Sequence, residues 1–494
     1  MSFSKVFART VVGLDAPLLT IEVHISPGLP GIVVVGLPEA AVRESKDRVR
    51  SAIINSGFDF PQYRLTINLA PADLPKDGAK LDLPIALGVL AASGQLPPES
   101  LEGVECLGEL ALSGELRPIK GALTVALHLK GAGRALIVPE QNALEAGAVS
   151  GVEVLGGGSL KQVVDHLSGA VKLQVLDRPA QQSDLPVYPD LRDVLGQPAA
   201  RRALEVAASG RHSLIMSGPP GVGKTMLASR LPGLLPPLSQ DQAFEVMSIY
   251  SICALETPFA MRPFRAPHHT ASPAALIGGG SRPRPGEVTL AHLGVLFLDE
   301  LPEFDRKVLE VLRQPLEGKT VSISRAAAQA TFPADFQLIA AMNPCPCGYL
   351  GDPSGRCHCS ADQVLRYRAK ISGPLMDRLD LWVDVPRPAL SQIHASGAEE
   401  STEQVRARVL AAHARQLERQ GKPNAALDPA ELSIHAPLGE AQKTLMSAAQ
   451  AKLDLSLRAY HRVVKVARTI ADLAQSEPIN SAHLAEALGY RAKG

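Results

Sequence analysis

The chain carries no charge excess of either sign, few aromatic residues and no long apolar run. Fifty Lys and Arg stand against fifty Asp and Glu in 494 residues, so the formal net charge is zero. That balance excludes a globally basic nucleic-acid coat and a polyacidic disordered chain, while leaving local patches open. Aromatics make up only 4% of the chain, with one Trp, so its cores must be aliphatic; a hydrophobic content of 46% is enough to build them. Nothing approaches the ~18 uninterrupted apolar residues of a membrane span, and Met1 to Phe7 lacks the apolar stretch of a signal peptide. A cytoplasmic protein with no membrane association is expected. Cysteine is scarce except in one place: Cys106 and Cys253 are isolated, whereas Cys345, Cys347, Cys357 and Cys359 crowd together. In a reducing compartment such crowding points to metal before disulfide.

Proline, by contrast, is abundant, with 40 residues against an average usage of about 5%, and implies many loops. The length fits about three domains. Residues 1–170 alternate strand-like runs (Val11-Val12, Thr20 to Ile25, Ile32 to Val35, Arg64 to Leu69, Ala135 to Val138) with helical patterns at Glu39 to Ser56 and Leu83 to Ser93. An α/β domain follows from that alternation. The polar, proline-bearing stretch 171–189 reads as a linker, 190–385 as a second α/β core and 386–494 as a helical lid.

The strongest motif is Gly218-Pro219-Pro220-Gly221-Val222-Gly223-Lys224-Thr225, set between an apolar strand and a helix. Its glycines let backbone N–H groups turn towards phosphate oxygens, and the helix N-terminus adds partial positive charge. Lys224 would reach the β- and γ-phosphates of ATP, and Thr225 would ligate Mg2+. Downstream, Val295 to Leu298 is an apolar strand ending in Asp299 and Glu300. Asp299 is expected to hold the Mg2+ shell and Glu300 to polarise the attacking water. A third strand ends in Asn343, whose amide would sit between γ-phosphate and water; otherwise it is only a turn residue before Pro344.

Two Cys-x-Cys pairs, Cys345/Cys347 and Cys357/Cys359, are separated by a glycine-rich loop. Four thiolates suit a structural, tetrahedral Zn2+ and leave no open position for catalysis, with His358 a bystander. Free or redox-active thiols are the alternative.

These residues resemble the AAA+ ATPases, and within them the magnesium-chelatase-like ComM/YifB family. The resemblance spans essentially the whole chain and is carried by Asp193 to Gln197, the phosphate loop, Phe264-Arg-Ala-Pro-His-His-Thr270, Gly294 to Glu300, Met342 to Gly348, Ile371 to Asp380 and Leu457 to Arg462. It implies a hexameric ring ATPase acting as a DNA branch-migration helicase in natural transformation, with single-stranded, forked or branched DNA and recombination proteins as partners. It also makes Arg378 an arginine finger acting on the neighbouring subunit, with Arg366 and Arg368 as nearby competitors, and Arg458 a lid residue contacting bound nucleotide. The plainer alternatives are a surface arginine paired with Asp377 or Asp380, and a solvated basic helix face of Arg458, Arg462 and Lys465.

Residues 62–125 resemble the Lon-protease (ribosomal S5 domain 2-like) fold, but the nucleophile position is Lys80 and the general-base position Leu123. With neither half of a Ser-Lys dyad, scaffolding is expected rather than proteolysis. The segment 257–286 lacks acids and contains Arg262, Arg265, His268, His269, Arg282 and Arg284; the hairpin-like stretch 318–334 adds Lys319 and Arg325. These are the candidate DNA contacts, suited to tracking the phosphate backbone. The same residues also fit two rivals, a magnesium-chelatase motor subunit and a protein-remodelling chaperone.

Overall fold

Period-two burial along the first strands shows how the amino-terminal part is built. The computed structural model describes residues 2–36, 40–76, 78–175, 186–280, 283–325, 328–352, 355–388 and 399–491, with backbone only at 40–43, 325 and 328. The chain divides into two units, Met1–Leu185 with Met247–Phe259, and Pro186–Val246 with Ala260–Gly494.

In the first unit, β1 (Ser2–Arg9), β2 (Leu18–Ser26), β3 (Gly31–Val35), β4 (Arg64–Ala70), β5 (Val104–Cys106), β6 (Ala135–Pro139) and β7 (Val154–Gly157) form one sheet in the order β3-β4-β2-β1-β5-β6-β7. Ser4, Val6 and Ala8 of β1, with Leu19, Ile21, Val23 and Ile25 of β2, are buried, and their neighbours in sequence face outwards. Helix α2 (Asp82–Ala92), buried at every residue, covers the buried face: a Cβ on Gly88 would meet Val23 and Val6. The first strand is Ser2–Arg9 and not Val11-Val12, which lies in a turn where Val12 bridges to Asp15. β1 escapes sequence reading because its outward residues, Phe3, Lys5, Phe7 and Arg9, mix aromatic with basic side chains. Helix α1 (Ala40–Asn55) agrees with the pattern in the sequence. Of the expected linker, 176–185 lies outside the described residues; Val175 bridges to Leu155, and Tyr188 packs in the second unit, its hydroxyl accepting from the Arg262 amide at 2.7 Å.

The second unit is built on five strands, all parallel: β8 (Leu214–Ser217), β9 (Phe264–Arg265), β10 (Val295–Leu298), β13 (Gln337–Met342) and β14 (Leu381–Asp384), in the order β9-β10-β13-β8-β14. Every residue of β8, β10 and β13 is buried, as continuous apolar runs in a parallel sheet require. The hairpin of β11 (Thr320–Arg325) and β12 (Ala328–Pro333) stands apart from this sheet. Core and carboxy-terminal helices share one apolar cluster running from Leu191 to Tyr490. Helices Thr402–Gln420 and Leu457–Leu473 both pack on Pro198–Gly210, and Ser401 and Ser456 cap their N-termini.

Asp380 ties the helical region to the start of β8. It accepts from the Ser213 amide at 3.0 Å, His212 Nδ1 lies 3.6 Å away and Arg462 3.8 Å away. Burial works to raise its pKa, but the His212 ring, Arg462 and the amide outweigh burial and hold the carboxyl at about 2. A depressed carboxyl stabilises the fold above its unfolded pKa of about 3.9, and the contribution is lost as pH falls through about 2. Asp380→Asn is therefore expected to be less stable than wild type by roughly 2 kcal/mol at neutral pH. Thermal unfolding of the two proteins from pH 7 downwards should show the gap closing between about pH 4 and 2; a gap independent of pH would refute the assignment.

Candidate nucleotide site

Three parallel strands in register deliver their carboxyl ends to one edge. β8 runs into the phosphate loop, β10 into Asp299 and Glu300, and β13 into Asn343. The loop turns through a left-handed Gly223 (φ 90°), where a side chain would be strained, and helix Lys224–Leu234 starts at the next residue. Pro220 to Thr225, Asp299, Glu300, Met342 and Asn343 line a cleft of about 380 Å3.

Lys224 is buried. Its ammonium donates to the carbonyls of Gly218 (2.6 Å) and Pro219 (2.9 Å) and to Asn343 Oδ1 (3.2 Å). Burial lowers its pKa, opposed by Asp299 and Glu300. Thr225 Oγ1 donates to Asp299 Oδ2 at 2.7 Å, so a hydroxyl and a carboxylate stand together, the hard oxygen ligands that Mg2+ takes. An ammonium and helix N-terminal amides on one side, with oxygen ligands on the other, form a site for a polyphosphate and its cation.

Glu300 sits in the left-handed region (φ 51°), a conformation costing a non-glycine residue of order 1–3 kcal/mol. Its carboxylate is half exposed and lies 3.3 Å from His269 Nδ1; the His269 ring lies tilted against His268 with centroids 4.1 Å apart and meets Phe304 edge-on. His269 was expected among the DNA contacts, and the fold brings it to the candidate water-polarising acid. Tyr367 is a site residue without a sequence signal: it is buried, hydrogen-bonded to the Asn343 backbone, and pushed up to about 12 by burial, with Glu303 adding to the shift.

The four cysteine sulfurs lie within 4.8 Å of one another. The Sγ–Sγ distances are 3.3 Å (Cys345–Cys347), 3.8 Å (Cys345–Cys357) and 3.7 Å (Cys347–Cys357). A tetrahedron with metal–sulfur bonds of ~2.3 Å has edges of about 3.8 Å, so the donor set fits. The cluster bears on the nucleotide cleft: a Cβ on Gly348 would come within 2.8 Å of Pro220.

Arg378 and Arg458 are not in that cleft. Both guanidinium groups reach the same carboxylate oxygen, Glu317 Oε1, Arg378 at 2.5 Å and Arg458 at 3.3 Å. Together with Arg211, Lys319, Arg462 and Lys465 they line a second cleft of about 220 Å3. Arg458, expected to contact bound nucleotide, is grouped by this placement with Arg378 and not with Lys224. Nor is the helix face simply solvated: Arg462 and Lys465 donate to the carbonyls of Leu379 and Ala425, and burial lowers both pKa values. Arg366 and Arg368 lie outside the lining of this cleft.

The candidate DNA contacts separate on inspection. Arg262 is buried, bonded to the carbonyls of Pro236 and Leu293, and pulled down to about 9 by burial, so it braces the fold and offers no surface. Arg265 forms two bonds to Glu287, an acid just beyond the acid-free segment. His268 is bonded to Thr270, and Lys319 pairs with Asp335. Arg284 is exposed, on a two-residue strand paired with Gly278–Gly279, which is therefore ordered. Arg282 and the Arg325 side chain lie outside the described residues. In the first unit, Lys80 lies in a short 3-10 turn and Leu123 is buried.

A parallel sheet of this order, a phosphate loop beside an Asp-Glu strand end and a carboxy-terminal helical region define an AAA+-type ATPase core. Residues 190–393 match the family model for magnesium chelatase subunit ChlI, 21–142 a second model for subunit ChlI of magnesium chelatase, and 399–491 the ChlI carboxy-terminal model. Among curated relatives, the uncharacterized protein YifB of Salmonella typhimurium is 49% identical over 100% of this chain and 97% of its own length. The competence protein ComM of Haemophilus influenzae is 49% identical over 100% and 98%, and the uncharacterized protein Rv2897c of Mycobacterium tuberculosis 44% identical over 100% and 99%. The chain belongs to the ComM/YifB family of magnesium-chelatase-like AAA+ ATPases.

Gly348→Val is expected to drive the cysteine loop into Pro220 and weaken nucleotide binding by about tenfold, or ~1.4 kcal/mol. Titration with a fluorescent ATP analogue measures this. Wild-type affinity would mean the loop does not bear on the phosphate site.

Proposed function

We propose that the chain is the subunit of an ATP-driven, homohexameric ring motor that moves on single-stranded, forked or branched DNA and promotes branch migration as incoming DNA is integrated during natural transformation. The observation that carries this reading is the division of the ATPase machinery between two clefts. Lys224, Thr225, Asp299, Glu300 and Asn343 line one, Arg378 and Arg458 the other. A subunit whose arginines stand away from its own phosphate loop needs a neighbour to complete the site, and a closed ring gives every subunit one. The competence name of the Haemophilus influenzae relative supports the DNA reading, as does exposed Arg284 in the segment between the phosphate loop and Asp299.

Thr225 and Asp299 would hold Mg2+, which when bound offsets phosphate charge. Lys224 grips the phosphate oxygens, Asn343 orients, and Glu300 takes the proton of the attacking water. Arg378 stabilises charge on the neighbour's γ-phosphate, and Arg458 beside it reads the same nucleotide. The four cysteines would hold a structural Zn2+, which when bound would stiffen the edge of the site. The amino-terminal unit is a Lon-protease-like scaffold without a Ser-Lys dyad. The family models named for magnesium chelatase favour a second reading, a metal-chelation motor; it predicts no response to DNA.

ATPase assays with and without forked and four-way DNA separate the two. DNA should raise the rate and Arg284→Ala should blunt the rise, whereas no DNA response and no strand displacement would sink the motor reading. Glu300→Gln should bind ATP normally but hydrolyse it at least 10²-fold more slowly. Arg378→Ala alone and Lys224→Ala alone should be inactive, yet regain partial activity when mixed; no recovery would argue against action across subunits. Elemental analysis should find one zinc per chain, lost in the Cys345→Ser/Cys347→Ser variant, and metal-free wild-type protein would remove the zinc assignment.

A further inference from the structure

The outer face of the amino-terminal sheet belongs to neither cleft. Outward residues of β1 alternate Phe3, Lys5, Phe7 and Arg9, and register places Phe3 beside His24, Lys5 beside Glu22 and Phe7 beside Thr20 and Glu105. The row continues onto Thr66 and Asn68 of β4 and Val33 and Val35 of β3. Helix α2 packs on the opposite face. Phe3 is 58% exposed, and Arg64 at the start of β4 is also exposed.

The cations Lys5, Arg9, Arg64 and Arg134 outnumber the carboxylates Glu22 and Glu105. Glu105 is buried and accepts from Arg9 (2.7 Å) and Arg134 (2.9 Å), which offset its charge, while Glu22 accepts from the neutral Asn68 amide (2.8 Å) and keeps its charge opposite Lys5. The Phe7 ring holds two cations over the sheet, Arg134 at 4.1 Å and Lys5 at 4.8 Å. Cations fixed by an aromatic ring lose less freedom when they take a phosphate. Phe3 leaves a ring open for a base.

We propose that this face is a second binding platform for single-stranded nucleic acid, independent of base sequence, in which Phe3 stacks a base while Lys5, Arg64 and Arg134 contact the backbone. Open sheet faces carrying aromatic rings and cations suit splayed single strands, because every base has a π-face and every nucleotide a phosphate. Duplex DNA, with its bases stacked inside, offers Phe3 nothing. The proposal rests on the DNA-motor reading and adds a contact outside the candidate DNA-contacting segments 257–286 and 318–334.

The test uses the full-length protein and a fluorescent oligothymidylate, with salt titrations. Phe3→Ala should weaken binding about tenfold, Phe3→Trp should restore it, and duplex binding should be unchanged. Lys5→Ala/Arg64→Ala should lower the slope of log affinity against log salt by about 1.4, at ~0.7 per phosphate contact. DNA-free ATPase, thermal stability and subunit number by mass photometry should stay at wild type. Wild-type affinity and slope in these variants, with DNA still stimulating ATPase, would overturn the platform and leave the motor standing. No oligonucleotide binding and no DNA response in wild type would overturn both. A changed subunit number would instead make the face a subunit contact and equally overturn the platform.

Discussion

The buried ammonium of Lys224 is the interaction on which the second unit depends. A desolvated cation costs several kcal/mol unless its hydrogens are matched by acceptors, and here Gly218, Pro219 and Asn343 supply three. Two of those acceptors belong to the loop after β8 and one to the end of β13, so the match requires these strands to pair in register. A slip of one residue would turn Asn343 away and leave the charge unmatched. Asp299 and Glu300 sit opposite through the same parallel ladder. The cysteine loop reaches the same place through Gly348, where a Cβ would come within 2.8 Å of Pro220 and 3.8 Å of Asn343.

What Lys224 does not reach is equally informative. The arginines that would complete hydrolysis converge on Glu317 in another cleft, where one carboxylate holds Arg378 and Arg458 side by side. On the proposed reading, chemistry divided in this way would make turnover conditional on assembly. Behind the pair, Arg462 and Lys465 are half-buried, donating to the carbonyls of Leu379 and Ala425 with Asp380 3.8 Å from Arg462, so the cleft rests on how helix Leu457–Leu473 meets the residues leading into β14.

Much of this was legible in the sequence, and the exceptions have physical causes. The phosphate loop, the strands ending in Asp299 and Asn343, the cysteine pairs and most carboxy-terminal helices can be read directly, because each is local: a turn needs its glycines, a buried strand its apolar run, a helix its cap. β1 is not legible in this way, because the aromatic and basic residues of its open face interrupt the apolar signal. The cation list misled for a different reason. Arg262, Arg265 and His269 lie in an acid-free segment, yet their partners are backbone carbonyls and acids from elsewhere, Glu287 and Glu300.

The sequence by itself determined which chemical groups exist and the local backbone that presents them: a phosphate loop, an acid pair, an amide, four thiols and a neutral total charge. Only the tertiary structure decided which of them meet. It brought His269 to Glu300, Tyr367 to Asn343, and Arg458 to Arg378 instead of to Lys224. It also turned a neutral chain into one with a cationic cleft and a cationic sheet face. The reason is that pairing between distant residues is set by strand register and helix packing, which a linear pattern of residue types does not record.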